Sequence, residues 1–177
     1  MIDESTFLKE ILPGLFLTAP DNDITITNVV SFIKPQYFPS MILENSMTLE
    51  IQKEFTRFFR VCGEDYLPPY ESCWVLKKFH DEPFLVRRLY SKTTNEIQEI
   101  YNNLQISPHS NFFEPPDHIA FELSVYFTVK ESEYTNEYIQ TFIKDHFEKW
   151  VPFYLHELSN KNGIFYPVIA KYLLNKI

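Results

Sequence analysis

Two adjacent prolines, Pro115 and Pro116, place a rigid corner directly before a strongly apolar run. Proline fixes its own φ angle, lacks a backbone N–H and disfavours helix at the preceding residue. The chain must therefore reach this point in an extended conformation. Asp117 and His118 follow, and the apolar run begins at Ile119. We expect a buried helix to begin here, with the Asp117 carboxylate meeting the free N–H groups at the helix start.

The scarcity of glycine and the spacing of apolar residues both favour an all-α fold. Three glycines occur beside twelve prolines, whereas β-rich and Rossmann-type folds need glycines at turns and phosphate loops. Between the prolines, apolar residues recur three and four positions apart, which is typical of helices. The clearest predicted helices span residues 47–61, 118–130, 135–149 and 164–176, and weaker patterns predict helices at about 5–17, 24–33, 83–91, 93–104 and 152–159.

These helices predict one compact helical-bundle domain over residues 1–177, with about eight to ten helices. Gly63 is expected to cap the C-terminus of helix 47–61. Pro152 suits the first turn of a helix and is expected to separate helix 152–159 from the preceding one. The β-branched residues of 24–33 resemble a strand, but one isolated strand has nothing to pair with, so we predict a helix.

Negative charge is concentrated in one part of the chain. The formal net charge is −8, and residues 96–157 alone contain eleven acids and three bases. The remaining chain carries thirteen of each. This distribution argues against nucleic acid as a partner. It fits either a solvated acidic surface or a site for a basic ligand such as an arginine-containing peptide.

The sequence also indicates the compartment. No run approaches 18 uncharged apolar residues, so we expect no membrane span. The first residues are acidic, unlike a secretory signal peptide, and we expect a cytoplasmic protein. Cys62 and Cys73 lie eleven residues apart, which is the spacing of neither a redox CxxC pair nor a zinc knuckle. We interpret them as thiols in a reducing compartment.

His118 and Glu122 lie four residues apart and so share one face of the predicted helix. They could form a hydrogen bond that fixes local structure, contact a ligand, or supply half of a metal site. With His146 they define an alternative function, a metal-dependent hydrolase. HExxH, GxSxG, Walker A and GxGxxG motifs are all missing from the sequence, so this alternative lacks the usual signatures. A structural helical scaffold is the other alternative.

A second proline pair, Pro68-Pro69, precedes another group of distinctive side chains. It again imposes an extended backbone. Tyr70 and Trp74 follow, and large amphipathic side chains of this kind are good anchors for a bound peptide. Aromatic residues are equally common in hydrophobic cores, so both interpretations of this pair stay open.

Five short elements, each weak alone, occur in a definite order between residues 54 and 173, about two thirds of the chain. They are Glu54-Phe55-Thr56-Arg57-Phe58-Phe59, Pro68-Pro69-Tyr70-Glu71-Ser72, Glu114 to Leu123 (with Pro116-Asp117-His118), His146-Phe147-Glu148-Lys149-Trp150-Val151-Pro152-Phe153, and Phe165-Tyr166 with Ala170. Taken in this order, the elements resemble those of the TorD/DmsD/NarJ-type family of redox enzyme maturation chaperones.

The resemblance implies an all-helical cytoplasmic chaperone that is not an enzyme. Such proteins bind the twin-arginine signal peptide or the apo form of a molybdenum-cofactor oxidoreductase, hold back its export and support cofactor insertion. We expect no metal and no cofactor. By resemblance, weak guanine nucleotide binding is possible, as reported for some members, and the protein is expected to be a monomer or a domain-swapped dimer. The client could be a dimethyl sulfoxide or trimethylamine N-oxide reductase, a formate dehydrogenase or a nitrate reductase.

The same resemblance implies which residues form the signal-peptide site. Asp117 and His118 match a signal-peptide-linked pair of the family, and Tyr70 matches an aromatic residue of its proposed peptide groove. We interpret Asp117 and Glu122 as partners of the two arginines, with His118 setting local geometry or sensing protonation. The full predicted site comprises Tyr70, Glu71, Trp74, Asp117, His118 and Glu122, with His146 and Trp150 as supporting positions.

The chain departs from the family pattern after Tyr101. Many members have a glycine there, whereas this chain has Asn102-Asn103. Asparagine adopts the left-handed conformation more readily than most residues. We therefore expect Asn102 or Asn103 to take that conformation in the turn.

Overall fold

The computed structural model describes residues 3–38, 47–75, 91–107, 113–130 and 136–177. Regular structure in these ranges is helical and no strand forms there, which confirms the predicted all-α fold. Three helices contain a π-helical stretch. The helices are α1 (Glu4–Thr6, continued by π-helical Phe7–Ile11 and by Leu12–Gly14), α2 (Asp23–Ile33), α3 (Thr48–Phe55, continued by π-helical Thr56–Arg60), α4 (Glu71–Val75), α5 (Lys92–Asn103), α6 (Ile119–Val129), α7 (Glu137–Thr141, continued by π-helical Phe142–Phe147 and by Glu148–Ser159) and α8 (Tyr166–Leu174).

The β-branched stretch 24–33 forms helix α2, as predicted. The helix begins at Asn22, whose side chain accepts a hydrogen bond from the backbone N–H of Thr25 at 2.9 Å. Such a cap stabilises a helix by about 1 kcal/mol. One face of the helix is buried through Ile26, Val29, Val30 and Ile33. The cap and this burial outweigh the weak helix propensity of β-branched residues. The helix predicted at 83–91 lies outside the described residues.

The contacts of the chain group it into two compact units. The first unit comprises Met1–Gly14 and Pro69–Val151. Helix α6 packs against the π-helical part of α1 within this unit. As its sequence predicted, α6 is buried on most faces, and its buried residues are Ile119, Ala120, Glu122, Leu123, Val125, Phe127 and Val129. The single domain inferred from the sequence stays a prediction.

The second unit comprises Leu15–Pro68 and Pro152–Ile177. Its core is aromatic and centres on Tyr166. The rings of Phe59 and Tyr166 meet edge to face, with their centroids 4.9 Å apart, and Phe55 lies 6.0 Å from the same tyrosine. Aromatic pairs in this geometry contribute about 0.5–1.5 kcal/mol each beyond the apolar area they bury. This cluster packs α8 against α3.

A buried carboxylate caps the start of α8 in the second unit. The Glu54 side chain accepts hydrogen bonds from the backbone N–H groups of Ile164 and Tyr166, both at 2.7 Å, and of Phe165 at 3.2 Å. Burial raises the pKa of Glu54, although the three N–H groups favour its charged form. A Cβ atom on Gly163 would lie 2.7 Å from this carboxylate. A side chain at position 163 would therefore force this carboxylate to move.

Two predicted helix boundaries are wrong. Pro152 does not separate two helices, because α7 continues through it as far as Ser159. Proline removes one hydrogen bond from a helix, and here it falls about one turn after the π-helical stretch, where the hydrogen-bond register has already changed. Gly63 does not cap α3 in a left-handed conformation. The π-helical end of α3 stops at Arg60, and the extended residue Val61 follows.

The turn after α5 uses a different residue from the one expected. Gln105, and neither of the two asparagines, has the positive φ angle, at 55°. The N–H of Ile106 bonds to the carbonyl of Tyr101, and the N–H of Gln105 bonds to that of Asn102. This pair of bonds is a Schellman motif, in which the left-handed residue follows the C-cap. The helix runs far enough to place Gln105 at that position.

None of the helices in the described ranges is long and apolar enough to cross a membrane.

The cap on α8 predicts how two substitutions change stability. Glu54→Gln offers one acceptor oxygen where the carboxylate offers two, so we expect a loss of about 1.5–3 kcal/mol in the free energy of unfolding. Gly163→Ala pushes the carboxylate away from the N–H groups and should cost about 1–3 kcal/mol. Urea unfolding measures both. The control Glu50→Gln, on the exposed face of α3, should stay within about 0.5 kcal/mol of wild type. Equal stability of all three variants would contradict this account of the cap.

Candidate functional site

The two segments that begin with proline pairs lie against each other in the first unit. The backbone N–H of Glu71 donates to the carbonyl of Asp117 at 2.9 Å, and that of Ile119 donates to Pro69 at 2.8 Å. These bonds form an isolated antiparallel bridge. Both segments arrive extended because proline requires it, and each begins a helix directly after the bridge. The starts of α4 and α6 are therefore held side by side.

Tyr70 and His118 occupy the centre of this bridge. Their rings meet edge to face with centroids 5.2 Å apart, and the Tyr70 hydroxyl donates to Glu114 at 2.6 Å. Nδ1 of His118 accepts a hydrogen bond from the backbone N–H of Ala120 at 3.1 Å. His118 is thus the N-cap of α6, which places a histidine where Asp, Asn, Ser or Thr is usual.

Asp117 caps a different helix from the one expected. Its Oδ2 accepts a hydrogen bond from the backbone N–H of Ser72 at 3.0 Å, in the first turn of α4. The prediction that it caps the following helix is wrong, because His118 takes that position and the bridge turns the Asp117 side chain toward the other segment. Asp117 is fully buried. It therefore fixes the start of α4 from within the unit.

Glu122 and His118 do not pair with each other. Oε2 of Glu122 accepts a hydrogen bond from the indole Nε1–H of Trp150 at 2.8 Å, although the two residues are far apart in sequence. His146 faces Glu71 instead, with Nδ1 lying 3.1 and 3.0 Å from the two carboxylate oxygens. The structure thus brings together α4, α6 and α7 through buried polar contacts.

Three buried carboxylates, those of Glu71, Asp117 and Glu122, interact electrostatically in this cluster. Burial raises the pKa of Glu71, against the opposing effect of His146. Burial, together with the charge of Glu71, holds the pKa of Glu122 well above its ordinary value. Full burial, together with the nearby carboxyl groups of Glu122, Glu71 and Asp117, also raises the pKa of Tyr101 well above its ordinary value. Burial and mutual repulsion therefore disfavour the charged forms of Glu71 and Glu122 within the cluster.

Several polar atoms of this cluster have no hydrogen-bond partner among the described residues. They are Ser72 Oγ, Tyr101 Oη, Asp117 Oδ1 and Glu122 Oε1. A buried polar atom without a partner costs about 1–3 kcal/mol. Native proteins keep few such atoms, and each one calls for an explanation.

All the predicted site residues lie in the first unit, and all are buried. The least buried are Tyr70 at 9 % exposure and His146 at 6 %. Burial of the Tyr70 and Trp74 side chains agrees with the core interpretation of these aromatics. The remaining members, all at 3 % exposure or less, are Glu71, Trp74, Asp117, His118, Glu122 and Trp150. Glu71 and His146 also reach the floor of a cleft, and the others form a buried layer behind it.

The three side chains of the hydrolase alternative point to different partners. His118 bonds to Ala120, Glu122 to Trp150, and His146 to Glu71. Across the described ranges, no group of three His, Cys, Asp or Glu side chains is arranged to hold a metal ion. The geometry therefore gives the hydrolase alternative no support.

A cleft of about 870 Å³ opens in front of the buried cluster. One wall is α5 and the other is the first half of α7, while α4 contributes to the floor. Glu71 and His146 link the cleft to the cluster, because both line the cleft and both belong to the cluster. The lining residues are Glu71, Val75, Thr93, Glu96, Glu99, Ile100, Glu137, Tyr138, Thr141, Asp145, His146 and Lys149.

The walls of the cleft are acidic. Two of their carboxylates have lysine neighbours, since Glu96 pairs with Lys92 at 3.0 Å and Asp145 pairs with Lys149 at 2.8 Å. The other two wall carboxylates, those of Glu99 and Glu137, form no ion pair with any described residue. Exposed ion pairs of this kind contribute little to stability. A basic ligand can therefore displace the two lysines at little cost, and all four wall carboxylates are available to it.

These wall residues were not singled out from the sequence. The net charge of residues 96–157 pointed to this region, but no individual wall carboxylate was assigned a role. A signal was present, because Glu137, Thr141 and Asp145 recur every four residues and so share one helix face. Which face of α7 is turned toward α5 depends on tertiary packing.

The raised pKa of Glu122 predicts a pH-dependent effect of Glu122→Gln. Because the folded state holds this proton more tightly than the unfolded state, stability falls as pH rises from about 4.5 toward the folded-state pKa. Glutamine cannot ionise and avoids this loss. The variant should gain on wild type by up to about 1.4 kcal/mol per pH unit across that interval, measured by urea unfolding at several pH values. A difference that does not change with pH would contradict this prediction.

Comparison with known proteins agrees with this architecture. Residues 36–154 match the family described as nitrate reductase delta subunit. The fold is similar to that in the crystal structure of a candidate redox enzyme maturation protein from Archaeoglobus fulgidus, with a TM-score of 0.62 and 20% sequence identity over 99% of this chain and 94% of that chain. No curated protein matches the sequence significantly. Because the family match covers more than half of the chain, the protein belongs to the nitrate reductase delta subunit family, the NarJ/TorD-type redox enzyme maturation proteins.

Proposed function

We propose that the protein is a cytoplasmic, non-catalytic chaperone that binds the twin-arginine signal peptide or apo form of a molybdenum-cofactor oxidoreductase. It would hold back export until the cofactor has been inserted. Family membership supports the general role, and the acidic cleft of the first unit is the observation that supports peptide binding. The choice of client, guanine nucleotide binding and the oligomeric state follow only from the resemblance and stay predictions.

The charge of the cleft complements a segment with adjacent arginines. Glu96 and Glu99 stand on one wall, and Glu137 and Asp145 on the other. Among the described residues of the lining, Lys149 is the one lysine or arginine. Charge-assisted hydrogen bonds to an arginine contribute about 1.5–3 kcal/mol each before desolvation is counted. Because the wall carboxylates are exposed, their electrostatic attraction to the peptide should weaken as the salt concentration increases.

The cleft also offers apolar surface for the hydrophobic stretch that follows the arginines in such a signal peptide. Tyr138 is 42 % exposed on the α7 wall, and Val75 and Ile100 lie near the floor. Short helical peptides commonly bind by laying an apolar face into a groove of this kind. Acidic walls beside an apolar strip would then fix the orientation of the peptide.

The buried cluster has a positioning role in this proposal. Asp117 holds the start of α4, and α4 carries Glu71 to the floor of the cleft. Glu122 holds Trp150 and so fixes α7 behind the opposite wall. The earlier interpretation assigned Asp117 and Glu122 directly to the arginines. Their full burial makes an indirect effect on the peptide the better proposal.

Substitutions of the two wall carboxylates that form no ion pair with a described residue test the binding surface. Glu99→Gln and Glu137→Gln should each weaken binding about 3- to 10-fold, since each removes one exposed charge contact worth roughly 1 kcal/mol. The probe is a fluorescent synthetic peptide with two adjacent arginines followed by an apolar run, measured by anisotropy. The double variant should also bind with a smaller dependence on salt.

The matched control is Glu64→Gln, which makes the same change of charge on an exposed residue of the second unit. It should leave the affinity for the peptide unchanged. The proposed surface is refuted if the double variant binds as tightly as wild type, or if the control weakens binding equally.

A further inference from the structure

The floor of the cleft joins an accessible surface to a buried acidic cluster. Glu71 and His146 line the cleft, yet each is more than nine-tenths buried. Both carboxylate oxygens of Glu71 face a single nitrogen of His146, at 3.1 and 3.0 Å. One ring N–H cannot satisfy two carboxylate oxygens fully. The pair is therefore an incompletely matched contact at the deepest point of the cleft.

The cluster behind this pair contains carboxyl oxygens that no donor among the described residues reaches. It holds the carboxylates of Glu71, Asp117 and Glu122 beside one histidine. Asp117 Oδ1 and Glu122 Oε1 are fully buried acceptors without a partner in the described part of the chain. Unpaired buried carboxylate oxygens are expensive unless something supplies donors to them. These unpartnered oxygens are a second observation, independent of the acidic walls, and they point to a ligand that donates several hydrogen bonds.

We propose that the floor of the cleft is a guanidinium site, in which one arginine of the bound peptide replaces His146 as the partner of Glu71. This inference rests on the proposed peptide-binding function and specifies one subsite of it. A guanidinium group stays charged and carries five N–H donors in one plane. Two of these donors can bind both oxygens of a carboxylate at once.

The floor and the walls of the cleft have different roles in recognition. A lysine ammonium is a compact point charge and cannot make the paired contact with a carboxylate. The floor therefore selects arginine over lysine. The walls at Glu99 and Glu137 attract either cation and hold the second basic residue without such selectivity. Geometry thus predicts two separable properties, selectivity at Glu71 and general affinity at the walls.

Peptide series separate these properties. The probes are the fluorescent Arg-Arg peptide and matched peptides with Lys-Lys or with two citrullines, which keep the shape of arginine without its charge. Wild type should bind Arg-Arg at least tenfold more tightly than Lys-Lys, and citrulline least. Glu71→Gln should lose at least tenfold in affinity for Arg-Arg and lose the preference over Lys-Lys. Glu137→Gln should weaken both peptides alike and keep the preference.

A measurement on the wild-type protein covers the case in which Glu71→Gln does not fold. The imidazole ¹⁵N resonances of His146, assigned by comparison with His146→Gln, should shift when the Arg-Arg peptide saturates the protein. They should move much less with Lys-Lys, which leaves the Glu71 contact in place. Unchanged His146 resonances in the saturated Arg-Arg complex would overturn the guanidinium site.

The outcomes distinguish this inference from the function on which it rests. Equal binding of Arg-Arg and Lys-Lys by wild type, or a folded Glu71→Gln variant that keeps its arginine preference, refutes the guanidinium site and leaves peptide binding intact. Failure of wild type to bind any of the peptides refutes both.

Discussion

Backbone pairing between the two proline-proline segments is the contact on which the functional unit depends. Each segment is forced to be extended by its prolines, and two hydrogen bonds then lock one segment to the other. Helices α4 and α6 both begin directly after this backbone bridge. Because a helix is stiff over its length, fixing the two starts fixes the directions in which Glu71 and Glu122 project. The buried cluster and the floor of the cleft both follow from this one bridge.

The buried carboxylates impose a second constraint, because a carboxylate can stay inside a protein only if donors reach it. Their donors come from two helices: Glu71 and Glu122 are reached from α7, by His146 and Trp150, and Asp117 is reached from α4. Moving any one element would strand a carboxylate without its partner. The helices are thus held in one arrangement, because other arrangements would leave a buried carboxylate without a hydrogen-bond donor. Such specificity is the best-supported use of buried polar groups, and here it keeps the walls of the cleft at a fixed separation.

The sequence was informative where structure is determined locally. Apolar spacing located the helices in the described ranges except the short α4, which was not predicted, and the Pro115-Pro116 corner located the start of α6. Contacts between distant residues were not accessible in this way. Nothing near Asp117 shows that its partner is the N–H of Ser72, and nothing near Glu54 shows that it caps a helix that begins at Tyr166.

The burial of the predicted site also depends on contacts between residues that are distant in sequence. Local chemistry marked Asp117 and Glu122 as unusual carboxylates, which they are, but only tertiary packing decides whether an unusual carboxylate faces solvent or the core. The acidic walls were detectable as a charge excess over residues 96–157. Their assignment to opposite sides of one cleft required the packing of α5 against α7.

The π-helical stretch Phe142–Phe147 makes the length of α7 part of the recognition surface. A π turn contains one more residue than an α turn, and each α-helical residue rotates the chain by about 100°. Tyr138 lies before this stretch, and His146 lies within it. Deleting one residue inside the stretch would close the π turn to an α turn and leave Tyr138 nearly in place. Deleting one α-helical residue between Tyr138 and the stretch would instead rotate Tyr138 and its wall by about 100° relative to the floor. The length of the helix before the stretch therefore specifies the cleft as strictly as the identity of its carboxylates.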